Sequence, residues 1–68
     1  MIPVGVTVNG TPHELDEGTT VQAMLAGLGL PDKGVAVAVD GAVFSRSRWD
    51  EQVERGWTIE VLTAVQGG

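Results

Sequence analysis

The residues with the strongest claim to chemistry stand last. The sequence closes Thr63-Ala64-Val65-Gln66-Gly67-Gly68, and no charged side chain follows Glu60. Fully extended, those last residues reach roughly 20 Å. Gly67 and Gly68 have no Cβ, so they pass a channel too narrow for any larger residue and bend through φ/ψ regions closed to others. They also leave a carboxylate on Gly68 sterically open. With an ordinary terminal pKa of about 3.3–3.7, that carboxylate is ionised at neutral pH and is a poor electrophile. It reacts only when an outside agent activates it, for example as an acyl-adenylate. The competing reading is a frayed end without a role.

Little else in the chain competes for a chemical role. There is no cysteine, which excludes disulfides, a thiolate nucleophile and a Cys-based metal site. The only histidine, His13, stands between Pro12 and Glu14 with no serine or cysteine nearby, and reads as an exposed strand residue. No Gly-x-x-x-x-Gly-Lys loop offers a nucleotide site, and no spacing suits a metal. Arg46 and Arg48 read as solvated loop residues, Trp49 and Trp57 as packing residues. A chain with this inventory does not activate ATP alone.

The elements that must hold such a tail are legible from patterning. Val4, Val6 and Val8 alternate with Gly5, Thr7 and Asn9, the period of a half-buried strand. Asn9-Gly10 is a hairpin signal, because a type I′ turn needs φ > 0 at both central residues. Thr11 to Leu15 returns, and Pro12, lacking an N–H, puts that strand at a sheet edge or stands where no ladder bond is needed. After the loop Asp16-Glu17-Gly18, Thr19 and Gln22 fit a capping box. Val21, Met24, Leu25 and Leu28 then form one apolar helical stripe. Gly29 ends the helix and Pro31 prevents its continuation, while Gly27 inside it suggests close packing.

The unbroken apolar run Val35–Val39 predicts a central strand buried on both faces. Asp40-Gly41 is a second hairpin turn, with Ala42 to Ser45 pairing back. Arg46 to Gly56 is more polar, with Trp49 and Val53 spaced to share one helical turn. Trp57 to Thr63 is the last strand, expected beside the first at the sheet centre. A hairpin followed by a helix laid across the sheet is the β-grasp arrangement. The expected fold class is α+β, ubiquitin-like, with a mixed sheet of four to five strands packed on one helix. Residues 1–62 form the domain, and 63–68 a flexible C-terminal tail.

Composition agrees with a single small domain. The chain has 68 residues, 43% hydrophobic and 19% charged, a globular balance. The net charge is −5, and residues 1–32 carry Glu14, Asp16, Glu17 and Asp32 without a base. That surface suits neither DNA nor RNA, whose phosphates need basic patches. It suits either a basic protein partner or plain solubility. The start lacks a basic signal-peptide region, and no apolar stretch has the length of a membrane span. The expected location is the cytoplasm.

Beyond these patterns the sequence resembles the ThiS family of thiamine-biosynthesis sulfur carriers, within the ThiS/MoaD ubiquitin-like group. The resemblance rests on Val6-Thr7-Val8-Asn9-Gly10, Thr19-Thr20-Val21, Val35–Gly41, Arg46–Trp49 and above all Ile59–Gly68. It covers nearly the whole chain, and Ala64-Val65-Gln66-Gly67-Gly68 is its most specific part. Asp40 stands where asparagine is usual and Ser45 where proline is usual. The resemblance implies that a ThiF/MoeB-type adenylyltransferase uses ATP and Mg²⁺ to adenylate Gly68, while Val65, Gln66 and Gly67 thread its active site. A persulfide sulfur from a desulfurase or rhodanese-type protein then displaces AMP. The Gly68 thiocarboxylate donates sulfur on the thiazole synthase ThiG. The chain is then no enzyme but a protein co-substrate, and binds no cofactor itself.

Two alternatives share the fold and the Gly-Gly end. One is a MoaD-like carrier such as the small subunit of molybdopterin synthase, the other a ubiquitin-like modifier joined to target lysines. Partners that take in the tail must also touch the sheet beside its root. Leu62, Val43 and Phe44 are the candidate docking residues, with core packing as the competing assignment.

Overall fold

A computed structural model describes residues 2–31 and 33–63. Strands β1 (Val4–Val8) and β2 (Thr11–Leu15) form the predicted hairpin, paired from Val4 opposite Leu15 to Val8 opposite Thr11. Asn9 and Gly10 take φ of 50° and 83°, the positive values a type I′ turn requires. Pro12 stands opposite Thr7. The Thr7 N–H donates away from β2, to the Trp57 carbonyl at 3.0 Å. The proline therefore sits on the edge strand where its missing N–H costs no bond.

Helix α1 (Val21–Gly27) begins one residue later than the sequence suggests. Its N-cap is Thr20, in extended conformation, whose hydroxyl accepts from the Ala23 N–H at 3.1 Å. The Thr19 hydroxyl instead donates to the Asp16 carbonyl at 2.7 Å and closes the preceding loop. Position N3 is thus Ala23, which has no side-chain oxygen, so the capping box of Thr19 and Gln22 does not form. Carbonyls of the later irregular segment take its place. Val21 N–H donates to Glu51 and Gln22 N–H to Trp49, at 3.0 and 2.9 Å, satisfying donors that a helix start leaves open.

The far end closes as predicted. Gly29, with φ of 75°, donates to the Ala26 carbonyl, and Leu30 donates to Leu25. That pair of bonds is a Schellman motif, with the glycine in the left-handed position it needs. Val21, Met24 and Leu25 are buried and Leu28 partly so. Gly27 does not serve close packing: it is exposed, and a Cβ built there meets no atom within 4 Å.

Strands β3 (Val35–Val39), β4 (Ala42–Val43) and β5 (Thr58–Thr63) complete a five-stranded sheet of order β2-β1-β5-β3-β4. β5 is central. It runs parallel to β1, with Val8 opposite Ile59, and antiparallel to β3, from Val35 opposite Thr63 to Val39 opposite Ile59. β3 is an interior strand, paired on both sides by β5 and β4, but it is not buried on both faces. Val37 is buried, but Ala36 is exposed. The run Val-Ala-Val-Ala-Val conceals a period of two in side-chain size, with the valines toward the core and the alanines away from it. β4 stops at Val43 because Ser45 leaves the sheet to cap a 3₁₀ turn, Arg46–Arg48.

Trp49 and Val53 both reach the core, yet no helical turn joins them. Each arrives from the irregular segment after the 3₁₀ turn, which is stitched to the helix start by Val53 N–H donating to the Thr19 carbonyl at 2.8 Å. The core lies between one sheet face and α1, with Ile59, Val21, Met24 and Leu25 its most enclosed side chains. Among the described residues no helix is long and apolar enough to cross a membrane.

Candidate functional site

Of the residues singled out for chemistry, Val65, Gln66, Gly67 and Gly68 lie outside the described residues. What the structure describes is the strand from which they follow. Thr63, where the strand and tail readings of the sequence overlap, belongs to β5 and pairs with Val35. The strand carries Ile59 and Val61 into the core and leaves Thr58, Glu60 and Leu62 on the opposite face.

That opposite face holds two of the three expected docking residues. Leu62 is 69% exposed and Val43 is 85% exposed. The register sets Leu62 opposite Ala36 on β3, and Val43 opposite Ala38. Cross-strand neighbours on one face lie about 4.5–5.5 Å apart, so these four side chains form one apolar strip across β5, β3 and β4. Leu62 and Thr63 also line a shallow hollow with Gly34, Val35 and Ala36.

Phe44 does not join them. It is 5% exposed, turned to the core side by the strand alternation that turns Val43 out. Its ring meets Trp57 edge-on at 5.6 Å, a favoured aromatic geometry. The competing assignment, core packing, is therefore the correct one for Phe44.

The two arginines before Trp49 are not simply solvated. The Arg48 guanidinium lies 4.5 Å from the Phe44 ring centroid, and that of Arg46 lies 4.8 Å from the Trp49 ring. Each cation covers an aromatic face. Arg48 also bonds Glu51 twice, Nε to Oε2 at 2.9 Å and Nη2 to Oε1 at 3.0 Å. Those hydrogen bonds hold the Glu51 carboxyl below its usual range and raise the arginine. His13 is half-buried rather than exposed, opposite Val6 on the edge strand. Among the described residues no group of acidic or histidine side chains is arranged to hold a metal ion.

Two functional-looking contacts were not visible as patterns. Both hairpin turns reach β5 through side chains: Asn9 holds Val61 from the β1 side, and Asp40 holds Thr58 from the β3 side. The signal for each turn was local, whereas its bond to β5 spans 52 residues for Asn9 and 18 for Asp40.

The ThiS family matches this chain over residues 6–68. The chain belongs to the ThiS family. Two solved structures agree with it. One is the crystal structure of the thiamine biosynthesis protein ThiS from Geobacter metallireducens. It is 30% identical, with a TM-score of 0.74, over 96% of this chain and 100% of that one. The other is the solution structure of a thiamine biosynthesis protein from the same organism. It is 32% identical, with a TM-score of 0.75, over 96% of this chain and 88% of that one. The ThiS fold is thus the β-grasp, ubiquitin-like fold that the element order implied. A thiazole synthase of Magnetococcus marinus is 38% identical over 64 residues. That stretch is 93% of this ThiS-family chain but 20% of the relative, so the chain spans about a fifth of that protein's length.

Proposed function

We propose that this chain is a sulfur carrier of thiamine biosynthesis, serving the assembly of the thiazole ring. The observation that carries the reading is family membership through residue 68, so that the ThiS match includes Gln66-Gly67-Gly68. In this reading the Gly68 carboxylate attacks the α-phosphorus of ATP on a ThiF/MoeB-type adenylyltransferase, releasing pyrophosphate. A persulfide from a desulfurase or rhodanese-type protein attacks the acyl-adenylate, and AMP leaves. A thiol then cleaves the acyl disulfide, and Gly68 is left as a thiocarboxylate. ATP and Mg²⁺ belong to the partner, and the chain acts as co-substrate rather than enzyme.

The division of labour has a physical basis. A thiocarboxylate sulfur is a far better nucleophile than a carboxylate oxygen, and the folded domain is the handle by which successive enzymes hold it. The strip of Leu62, Ala36, Ala38 and Val43 is the docking surface in this reading, beside the strand that leads to Gly67 and Gly68. Thiazole synthase is the proposed acceptor, a pairing supported by the thiazole synthase that carries a similar stretch within its own chain.

Mass spectrometry of the protein taken from cells tests this. The expected product ends at Gly68 and shows one terminal oxygen exchanged for sulfur. An isopeptide link to a target lysine would instead identify a modifier. Deleting Gly68 is expected to abolish thiamine-independent growth while leaving the fold intact. Unaffected growth would overturn the proposal.

A further inference from the structure

The last residues of β5 are held from two sides by unlike means. On one side β3 pairs with the strand as far as Thr63. On the other, β1 pairs only as far as Ile59 and then turns away through Asn9 and Gly10. Val61 stands two residues beyond that point. There the Asn9 side chain takes over. Its Nδ2 donates to the Val61 carbonyl at 3.2 Å, and the Val61 N–H donates to its Oδ1 at 2.8 Å. The Asn9 backbone N–H meanwhile donates to the Ile59 carbonyl at 2.9 Å. An asparagine amide carries the same donor and acceptor as a peptide group. The side chain thus continues the ladder of β1 while the backbone reverses.

The turn alone does not explain this residue. Asparagine, aspartate and glycine all accept the positive φ of a type I′ turn. Only asparagine among them offers Val61 both a donor and an acceptor. Aspartate lacks the donor and glycine lacks both.

We propose that Asn9 is a positioning residue: by closing both hydrogen bonds of Val61 it fixes the direction in which the chain leaves β5 toward Gly68. This role rests on the carrier reading above. Beyond Thr63 the sequence runs through Ala64, Val65, Gln66 and Gly67 to Gly68, at most roughly 17 Å when extended. The direction of β5 at Val61 sets where that segment begins. Misplacement by about 1 Å at a reacting centre costs up to about a hundredfold in rate.

The test is adenylation of the full chain by a ThiF-type adenylyltransferase with ATP and Mg²⁺, alongside amide exchange at Val61. Asn9→Gly keeps the turn and removes the amide. It is expected to speed exchange at Val61 and lower kcat about tenfold, with KM within about twofold because the docking face is unchanged. Asn9→Asp keeps the acceptor for the Val61 N–H but sets a carboxylate oxygen against the Val61 carbonyl, and its kcat is expected to fall below wild type. A loss of stability alone would move neither constant well below the unfolding temperature. If Asn9→Gly does not fold, Asn9→Asp decides, and its kcat must fall below wild type. Wild-type kcat in a folded variant, or a rise in KM alone, overturns the role. Failure of the wild-type chain to be adenylated overturns the carrier reading, and this role with it.

Discussion

Asp40 and Thr58 exchange two hydrogen bonds between the β3–β4 turn and the start of β5. The Asp40 N–H donates to the Thr58 carbonyl at 2.8 Å, and the Thr58 N–H donates to Asp40 Oδ1 at 3.0 Å. Asp40 has φ of 51°, so the same residue makes the turn and caps the start of β5. Either aspartate or asparagine serves in this geometry, because the bond to Thr58 needs only an acceptor.

Asp40→Asn is accordingly expected to leave stability within about 0.5 kcal/mol of wild type. Asp40→Gly keeps the positive φ but loses the acceptor, at a cost of about 1 kcal/mol. For a domain this small that lowers Tm by roughly 4–8 °C. Asp40→Ala loses the acceptor and also the short polar side chain that lets Asp or Asn adopt positive φ, so it should cost more than the glycine variant, about 2 kcal/mol in all. Thermal unfolding by circular dichroism ranks the three. Equal Tm for the glycine and asparagine variants would show that the Thr58 bond contributes nothing.

Val43 and Phe44 are adjacent in sequence and opposite in fate, which gives a second prediction. Phe44→Ala empties a packed aromatic site, at a cost of about 3–5 kcal/mol. A core of this size supplies roughly 3–5 kcal/mol net, so the variant should be largely unfolded. Val43→Ser and Leu62→Ser remove exposed side chains and should change stability by about 0.5 kcal/mol or less. Under the carrier reading the same two substitutions raise KM for adenylation about tenfold, as truncation of an interface anchor does. Urea unfolding and steady-state kinetics separate the two effects. A normal KM in the double variant would remove the strip from the docking surface.

Much of this architecture was legible because its signals are local. Asn9-Gly10 and Asp40-Gly41 satisfy a backbone demand that few residue pairs meet, and Gly29 does the same for the helix end. The stripe of Val21, Met24 and Leu25 follows from helical period. What escaped were choices made by distant partners. Whether Thr19 or Thr20 caps the helix depends on which hydroxyl the Asp16 carbonyl captures. The open N–H groups of α1 find Trp49 and Glu51, about thirty residues on, and no local pattern announces that. Phe44 and Val43 could not be told apart until the strand register fixed which face each takes.

The bond between Asn9 and Val61 has a chemical consequence as well as a mechanical one. An Asn-Gly pair ages by attack of the glycine nitrogen on the asparagine side-chain carbonyl, with loss of ammonia and closure of a succinimide. Water then opens the ring to aspartate or isoaspartate. Gly10 is the unhindered nucleophile this reaction favours. In the folded chain, however, the Asn9 amide is held against β5 at both its oxygen and its nitrogen. Turning it toward Gly10 forfeits both bonds. Reaction should therefore proceed mainly from locally opened molecules, about tenfold or more slower than in the urea-unfolded chain. Peptide mapping for isoaspartate after incubation at mildly alkaline pH, folded against unfolded, measures the ratio. The product has no donor for the Val61 carbonyl and sets a carboxylate oxygen beside it, so aged protein should unfold about 1–3 kcal/mol more easily. Equal rates in the two states would mean that the clamp opens freely, and that Asn9 does not hold the end of β5.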